Sequence, residues 1–383
     1  MRKLFFPSKN LVSPANQSAD FVELFFDLVF VYAITRITSL TAHHLDAVNV
    51  LKSLLIFWII WWAWTQFTWA LNAANTRIVE VRMIVLIATG VAFVMASSTD
   101  LAFTSQVMWF AIPYVVIRII GLILYIRVTT NLNAHRAAVI GFALLSITGL
   151  IAVLVGAMVD PSLRIIFWLC AVLLDMLAGY IGGRSEGWNL SAKHFGERHS
   201  LIIIIALGES LIVAATAVSG QERTQDLIFV GGLTVIVTCL LWWSYFAWIS
   251  EYLEEKFSER KGSDQAKIGR DVYSFMHFLI ICGIVGIAVG FEKILHHPYD
   301  LLKMPVALAL GLGYMLFIGF SIVSVWRINK TILLPRLLIL LISLIAIILS
   351  IGHTPLMILG IISLSLFLIN IIEWKKCRKT SSN

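Results

Sequence analysis

Several ionisable side chains in this chain stand inside runs that are otherwise almost entirely carbon. Glu23 and Asp27 lie four apart in ELFFDLVFVYAITR, with Arg36 near its end. On a helix that spacing puts both carboxylates on one face. Later apolar runs contain Arg118, Asp175 and Glu209, the stretch GERHS adds Glu197, Arg198 and His199, and Arg82 and His277 stand near the starts of two more. A charge at the bilayer centre costs roughly 2.5–3.5 kcal/mol on insertion scales, so such groups face one another or a polar path. Acids, guanidinium groups and imidazoles at comparable depth can fix helix register as ion pairs, or they can bind and pass an ion, a proton or a small polar solute. Intramembrane ionisable groups lean towards the second role.

Other chemistry has no signature. There is no Walker loop, GxSxG elbow, HExxH pair or dinucleotide fingerprint, so neither an enzyme nor a cofactor is expected. His43-His44 and His296-His297 are adjacent pairs whose members point to different helix faces, and no metal site is expected there. Cys170, Cys239, Cys282 and Cys377 show no paired spacing; three lie in apolar runs and read as small buried hydrophobes.

The elements that must position these groups follow from composition. Of 383 residues 59% are hydrophobic and 13% charged, against about 25% charged in a soluble domain. Mean hydropathy is +0.90. This is an all-α polytopic membrane protein. About 20 apolar residues cross the hydrocarbon, and the runs predict twelve spans. The first six lie near 21–42, 48–71, 80–98, 106–127, 136–157 and 162–182. The other six lie near 199–219, 226–249, 271–292, 303–325, 333–351 and 354–373, the last two joined by the tight turn GHTP. No apolar signal core precedes Pro7 and Lys9, so the first run is expected to stay as a spanning helix.

With a cytoplasmic N-terminus, the positive residues sort strongly. Arg2, Lys3, Lys9, Arg77, Arg82, Arg127, Arg136, Arg184, Lys193, Arg198, Arg336 and the basic tail from Lys375 to Lys379 fall inside, with the cations of 256–270, Arg327 and Lys330. Only Lys52, Arg164, Arg223, Lys293 and Lys303 fall outside. Both termini are therefore placed in the cytoplasm. The net charge of +7 is a topology signal spread over short loops, and no nucleic-acid partner is expected. The mixed-charge stretch EYLEEKFSERKGSDQAKIGRD reads as a solvated loop or short amphipathic helix. The partners expected are the lipid bilayer and a small polar or ionic solute.

An acid followed by a tryptophan pair occurs twice. Asp27 precedes IIWWAWTQFTW, and Glu209 of LGESLIVAAT precedes LLWWSYFAWIS. That order predicts two parallel six-helix repeats: a cytoplasmic segment 1–20, a first repeat 21–182, a second repeat 183–373 and a basic tail 374–383. Arg82, Arg118 and Arg198 are the expected counter-charges for Glu23, Asp27, Asp175 and Glu209. The acidic face of the first helix is expected to meet the seventh, and Arg82 to pair with Glu23, Asp27 or Glu197. The tryptophans of 58–69 read as interfacial belt or helix packing.

ELFFDLVFVYAIT and GERHSLIIIIALGES resemble the two signature segments of the bacterial low temperature requirement protein A family, and Trp61-Trp62 and Arg82 fit its pattern between them. The resemblance covers nearly the whole chain. It implies a multi-spanning bacterial membrane protein linked by name to growth in the cold, with Glu23, Asp27, Arg82, Glu197, Arg198, His199, Gly208 and Glu209 at pattern positions. FFDLVFVYAIT is also similar to the FSD-containing first helix of endosomal and lysosomal potassium channels, although Phe26 replaces the Ser and the second half has LGES. The leading expectation is a transporter of a small polar or ionic solute using intramembrane carboxylates, proton-coupled through Asp27 or Glu209. The alternatives are a cation channel and a non-transporting membrane sensor or assembly factor.

Overall fold

A computed structural model describes residues 11–13, 17–129, 133–182, 190–219, 221–222, 224–296, 300–301 and 303–380, with side chains at 133–138 and 377–380 excepted. Arg2, Lys3, Lys9, Arg184, Arg223 and His297, and the side chains of Arg136, Cys377, Arg378 and Lys379, lie outside the described set. Inside hydrocarbon every backbone N–H and C=O must be satisfied within its own segment, and the apolar runs accordingly fold as helices. They are α1 (Phe21–His43), α2 (Ala47–Ala73), α3 (Val79–Ser97), α4 (Met108–Thr129), α5 (Asn133–Met158), α6 (Pro161–Gly182) and α7 (Ala192–Val218). There follow α8 (Gln225–Phe246), α9 (Ile249–Ser258), α10 (Gly262–Ile268), α11 (His277–His296), α12 (Met304–Asn329), α13 (Leu334–Leu349) and α14 (Pro355–Thr380).

Among the described residues, 10 helices are long and apolar enough to cross a membrane. The other two of the twelve expected spans fall on helices outside that set: α1, with 23 residues but three charges, and α13, apolar but 16 residues long. Asp46 and Asp160 punctuate the chain just ahead of α2 and α6. Asp46 accepts the backbone N–H groups of Asn49 and Val48, and bonds from the Asn49 backbone and side chain hold its carboxyl below the usual range. The Ser162 hydroxyl and backbone N–H do the same for Asp160. Gly352, in the GHTP turn, has φ 90°, a conformation that a Cβ would oppose.

Three segments differ from expectation. Helix α7 begins seven residues before the expected start, because its polar first turns find buried partners. The stretch 251–271 forms two short helices, and α9 buries Ile249, Leu253 and Phe257 on one face. The expected span 271–292 opens with a π-helical stretch, Gly269–Met276. Two tryptophans of α2 hold that wider turn: Trp61 Nε1 donates to the Ser274 carbonyl at 2.7 Å, and Trp69 Nε1 to Ser274 Oγ at 3.0 Å.

The chain divides into two compact units. The first comprises residues 1–37, 51–199 and 257–274, and the second 38–50, 200–256 and 275–383. In the first, α3, α4, α5 and α6 pack in sequence order. In the second, α8, α11, α12, α13 and α14 close a ring of neighbours. Lipid supplies little hydrophobic drive between helices, so small residues that let backbones meet matter more. A Cβ on Gly283 of α11 would lie 2.6 Å from the Gly313 carbonyl oxygen and the Phe317 nitrogen of α12. Gly283→Ala should therefore cost about 1–3 kcal/mol and lower the Tm of the detergent-solubilised protein. Gly360→Ala, which meets nothing within 4 Å, should leave it unchanged.

Of the cysteines, Cys282 is buried as expected, but Cys170 and Cys239 sit exposed on helix surfaces. Residues there would face the lipid tails, where a thiol needs no core.

Candidate functional site

The site builds from two helices with the same spacing. On α1, Glu23 and Asp27 share a face; on α7, His194 and Arg198 share another, also four apart, and within the first unit the faces interlock. Arg198 donates to Glu23 Oε2 at 2.5 Å and to Asp27 Oδ1 at 2.6 Å. His194 Nε2 lies 2.9 and 3.1 Å from the two Glu23 oxygens. The Asp20 backbone N–H adds a third donor to Glu23, on Oε1 at 3.1 Å. From α2, Trp64 Nε1 donates to Asp27 Oδ1 at 2.7 Å, and its ring lies 5.7 Å from the Arg198 guanidinium carbon. Glu23, His194 and Arg198 are 0% exposed and Asp27 1%. Asp27 Oδ2 is buried and has no hydrogen-bond partner among the described residues.

A second cluster in this unit pairs Arg118 of α4 with Asp175 of α6 through two hydrogen bonds, 2.8 and 3.0 Å. Tyr114 Oη accepts a further N–H from Arg118 at 2.5 Å. Gln66 accepts the Arg118 Nε–H and donates to the Arg118 carbonyl. Beside it a cavity of about 40 Å³, with mostly carbon walls, is lined by Trp62, Thr65, Gln66, Trp69, Tyr125 and Arg270 among others. That is room for a few waters.

The second unit has its own buried cation. Arg336 bonds Glu373 at 2.8 and 2.9 Å, Ser321 Oγ at 2.8 Å and the Ser244 carbonyl at 2.7 Å. Glu209 is buried in this unit, as is His277, whose Nε2 lies 2.7 Å from Tyr245 Oη.

The first helix does meet the seventh with its acidic face, but Arg82 does not join them. It is 46% exposed and pairs with Asp20 at 3.1 Å while donating to the Thr76 carbonyl. His194 and Arg198 already occupy Glu23 and Asp27, which leaves Arg82 at the rim, where such a pair is worth about 0–1 kcal/mol. Glu197 also stays outside the cluster, accepting the Ala19 N–H and lying 3.9 Å from Lys193. Arg36 meets Asp100 at 3.3 Å. His199 is buried, its Nδ1 2.8 Å from the Phe195 carbonyl and its ring edge-on to Trp64 and Tyr273.

Sequence reasoning missed His194, Trp64, Gln66 and Arg336. The first had a signal: His194 and Arg198 repeat the spacing of Glu23 and Asp27. Of the two readings of the tryptophans, burial of Trp61, Trp62 and Trp64 to at most 3% exposure favours packing over an interfacial belt. Arg336 was counted as a topology charge and is instead the centre of a buried network. Among the described residues no three His, Cys, Asp or Glu side chains are grouped to hold a metal.

Apolar helices of spanning length with buried ion pairs between them define a polytopic membrane protein. The chain belongs to the Bacterial low temperature requirement A protein (LtrA) family, whose match covers residues 18–371. It is also similar to Uncharacterized protein RA0937 of Rhizobium meliloti (strain 1021), with 27% identity over 324 residues covering 79% of this chain and 75% of that one. No solved structure matches.

Proposed function

We propose that the protein is a transporter of a small polar or ionic solute that uses the intramembrane carboxylates Glu23 and Asp27. It moves its solute without transforming it, in the bacterial plasma membrane, with both termini in the cytoplasm. One observation carries this reading. Among the described residues, the Arg118 and Arg336 pairs match one cation to one carboxylate, whereas Arg198 faces two acids. A purely structural pair gains nothing from a surplus buried carboxylate, since an unmatched charge in low dielectric is costly. A site that binds and releases a charged or polar species needs such a surplus.

The test is flux in proteoliposomes across a panel of ions, amino acids and osmolytes. Saturable uptake of one solute class above protein-free vesicles is expected. Non-saturating cation conductance would replace the transporter by a channel, and no flux of any kind would leave a sensor or assembly factor.

A further inference from the structure

Asn72 of α2 fixes the protonation of the site. The Ser191 N–H donates to Asn72 Oδ1 at 3.0 Å, and Asn72 Nδ2 donates to the Ser191 carbonyl at 3.0 Å. A backbone N–H can only donate and a carbonyl only accept, so the amide cannot be turned over. Its Nδ2 also lies 3.2 Å from His194 Nδ1, and a donor aimed there requires a lone pair on that nitrogen. His194 therefore carries its proton on Nε2, gives it as a hydrogen bond to Glu23, and is neutral.

With His194 neutral, two carboxylates face one guanidinium and the cluster lacks one positive charge. The surroundings do not supply it. Lys193 is matched to Glu197 and Arg82 to Asp20, both at the partly exposed rim. Trp64 and Asn72, the contributions of α2, carry no charge, and His199 turns its Nδ1 to the Phe195 carbonyl rather than to either acid. The two acids are not equivalent either. Both Glu23 oxygens accept N–H donors, whereas Asp27 takes its donors, Trp64 and Arg198, on Oδ1 alone and leaves Oδ2 bare.

We infer that this cluster binds one exchangeable proton, held on Asp27 Oδ2, while Glu23 and Arg198 stay ionised and His194 stays neutral. A hard metal cation takes about six or more oxygen ligands, and one bare oxygen does not provide them. A proton needs one lone pair. The only bond formed on loading is O–H, and release returns the carboxylate and the proton. The site stands on this geometry; its use to drive transport rests on the function proposed above.

The test is infrared difference spectroscopy on the full-length protein in lipid nanodiscs at neutral pH. A carboxylic-acid C=O band that shifts with ¹³C-labelled aspartate is expected in wild type and in Asp175→Asn. It should vanish in Asp27→Asn. It should vanish also in Glu23→Gln, where one carboxylate then matches one guanidinium and the proton is no longer needed. A band that survives in Asp27→Asn overturns the assignment. ¹⁵N NMR of wild-type protein, with the His194 signal assigned by its loss in His194→Gln, keeps the test independent of the acidic variants. The Nε2–H tautomer supports the proposal, and an imidazolium would overturn it by supplying the missing charge. The expected band and tautomer with no flux in any gradient would overturn the transport reading alone.

Discussion

Asp27→Asn should reduce solute flux to background while the protein folds and inserts as wild type does. The asparagine oxygen can keep the Trp64 and Arg198 bonds that Asp27 Oδ1 accepts at 2.7 and 2.6 Å, and side-chain volume barely changes. Asparagine reproduces the neutral, proton-loaded Asp27 and leaves Glu23 matched to Arg198, so burial does not oppose the variant; what it lacks is a proton to release. Stability and activity should therefore separate. If Asp27 only held helices together, flux would instead survive in proportion to folded protein. The measurement is initial uptake per folded molecule in proteoliposomes, set beside the Tm in detergent, with rescue of cold growth in a deletion strain as a cellular readout. Under the two-repeat reading Glu209→Gln behaves alike. Full flux in both neutral variants would sink the role of the carboxylates.

How much of this was legible in the sequence depends on whether a signal was local. The helices were: backbone satisfaction in hydrocarbon leaves long apolar runs little choice, and the spans agree with α1 to α8 and α11 to α14 to within a few residues except at the starts of α7 and α11 and at the end of α14. The α1–α7 meeting was legible because buried acids need cations and GERHS supplies one. Which cation was not. Arg82 and Arg198 looked alike on paper, and only the start of α7 at Ala192, which brings His194 into the same helix, settles the competition. Asn72 and Gln66 were invisible for another reason. An uncharged amide in an apolar helix gives no warning of what it touches, and these two act through partners 119 and 52 positions away. The π-helical turn was likewise hidden, since the tryptophans that hold Ser274 come from α2.

The second large effect is expected at Arg118 and Asp175, and its character should be opposite to that of Asp27. Both side chains are buried, at 0% and 3% exposure, and they match charge for charge. Arg118→Met would leave the Asp175 carboxylate in an apolar interior with Tyr114 as its remaining close polar neighbour from α4. Breaking a buried pair from one side costs about 3–5 kcal/mol, enough to lower the Tm and the yield of inserted protein sharply. Removing both charges together, as Arg118→Met with Asp175→Leu, should recover most of that loss, because the penalty lies in the stranded charge rather than in the absent bond. Flux per folded molecule should stay near wild type in the single and double variants alike, since nothing in this cluster is left unmatched for a solute or proton to use. Thermal unfolding in detergent over the four-member cycle gives the coupling, and uptake normalised to folded protein gives the function. A double variant no more stable than the sum of its single losses would show that the pair is not the source of the penalty. Loss of flux in Asp175→Asn at unchanged Tm would place this second cluster on the transport path, and the Glu23–Arg198–Asp27 cluster would no longer suffice as the site.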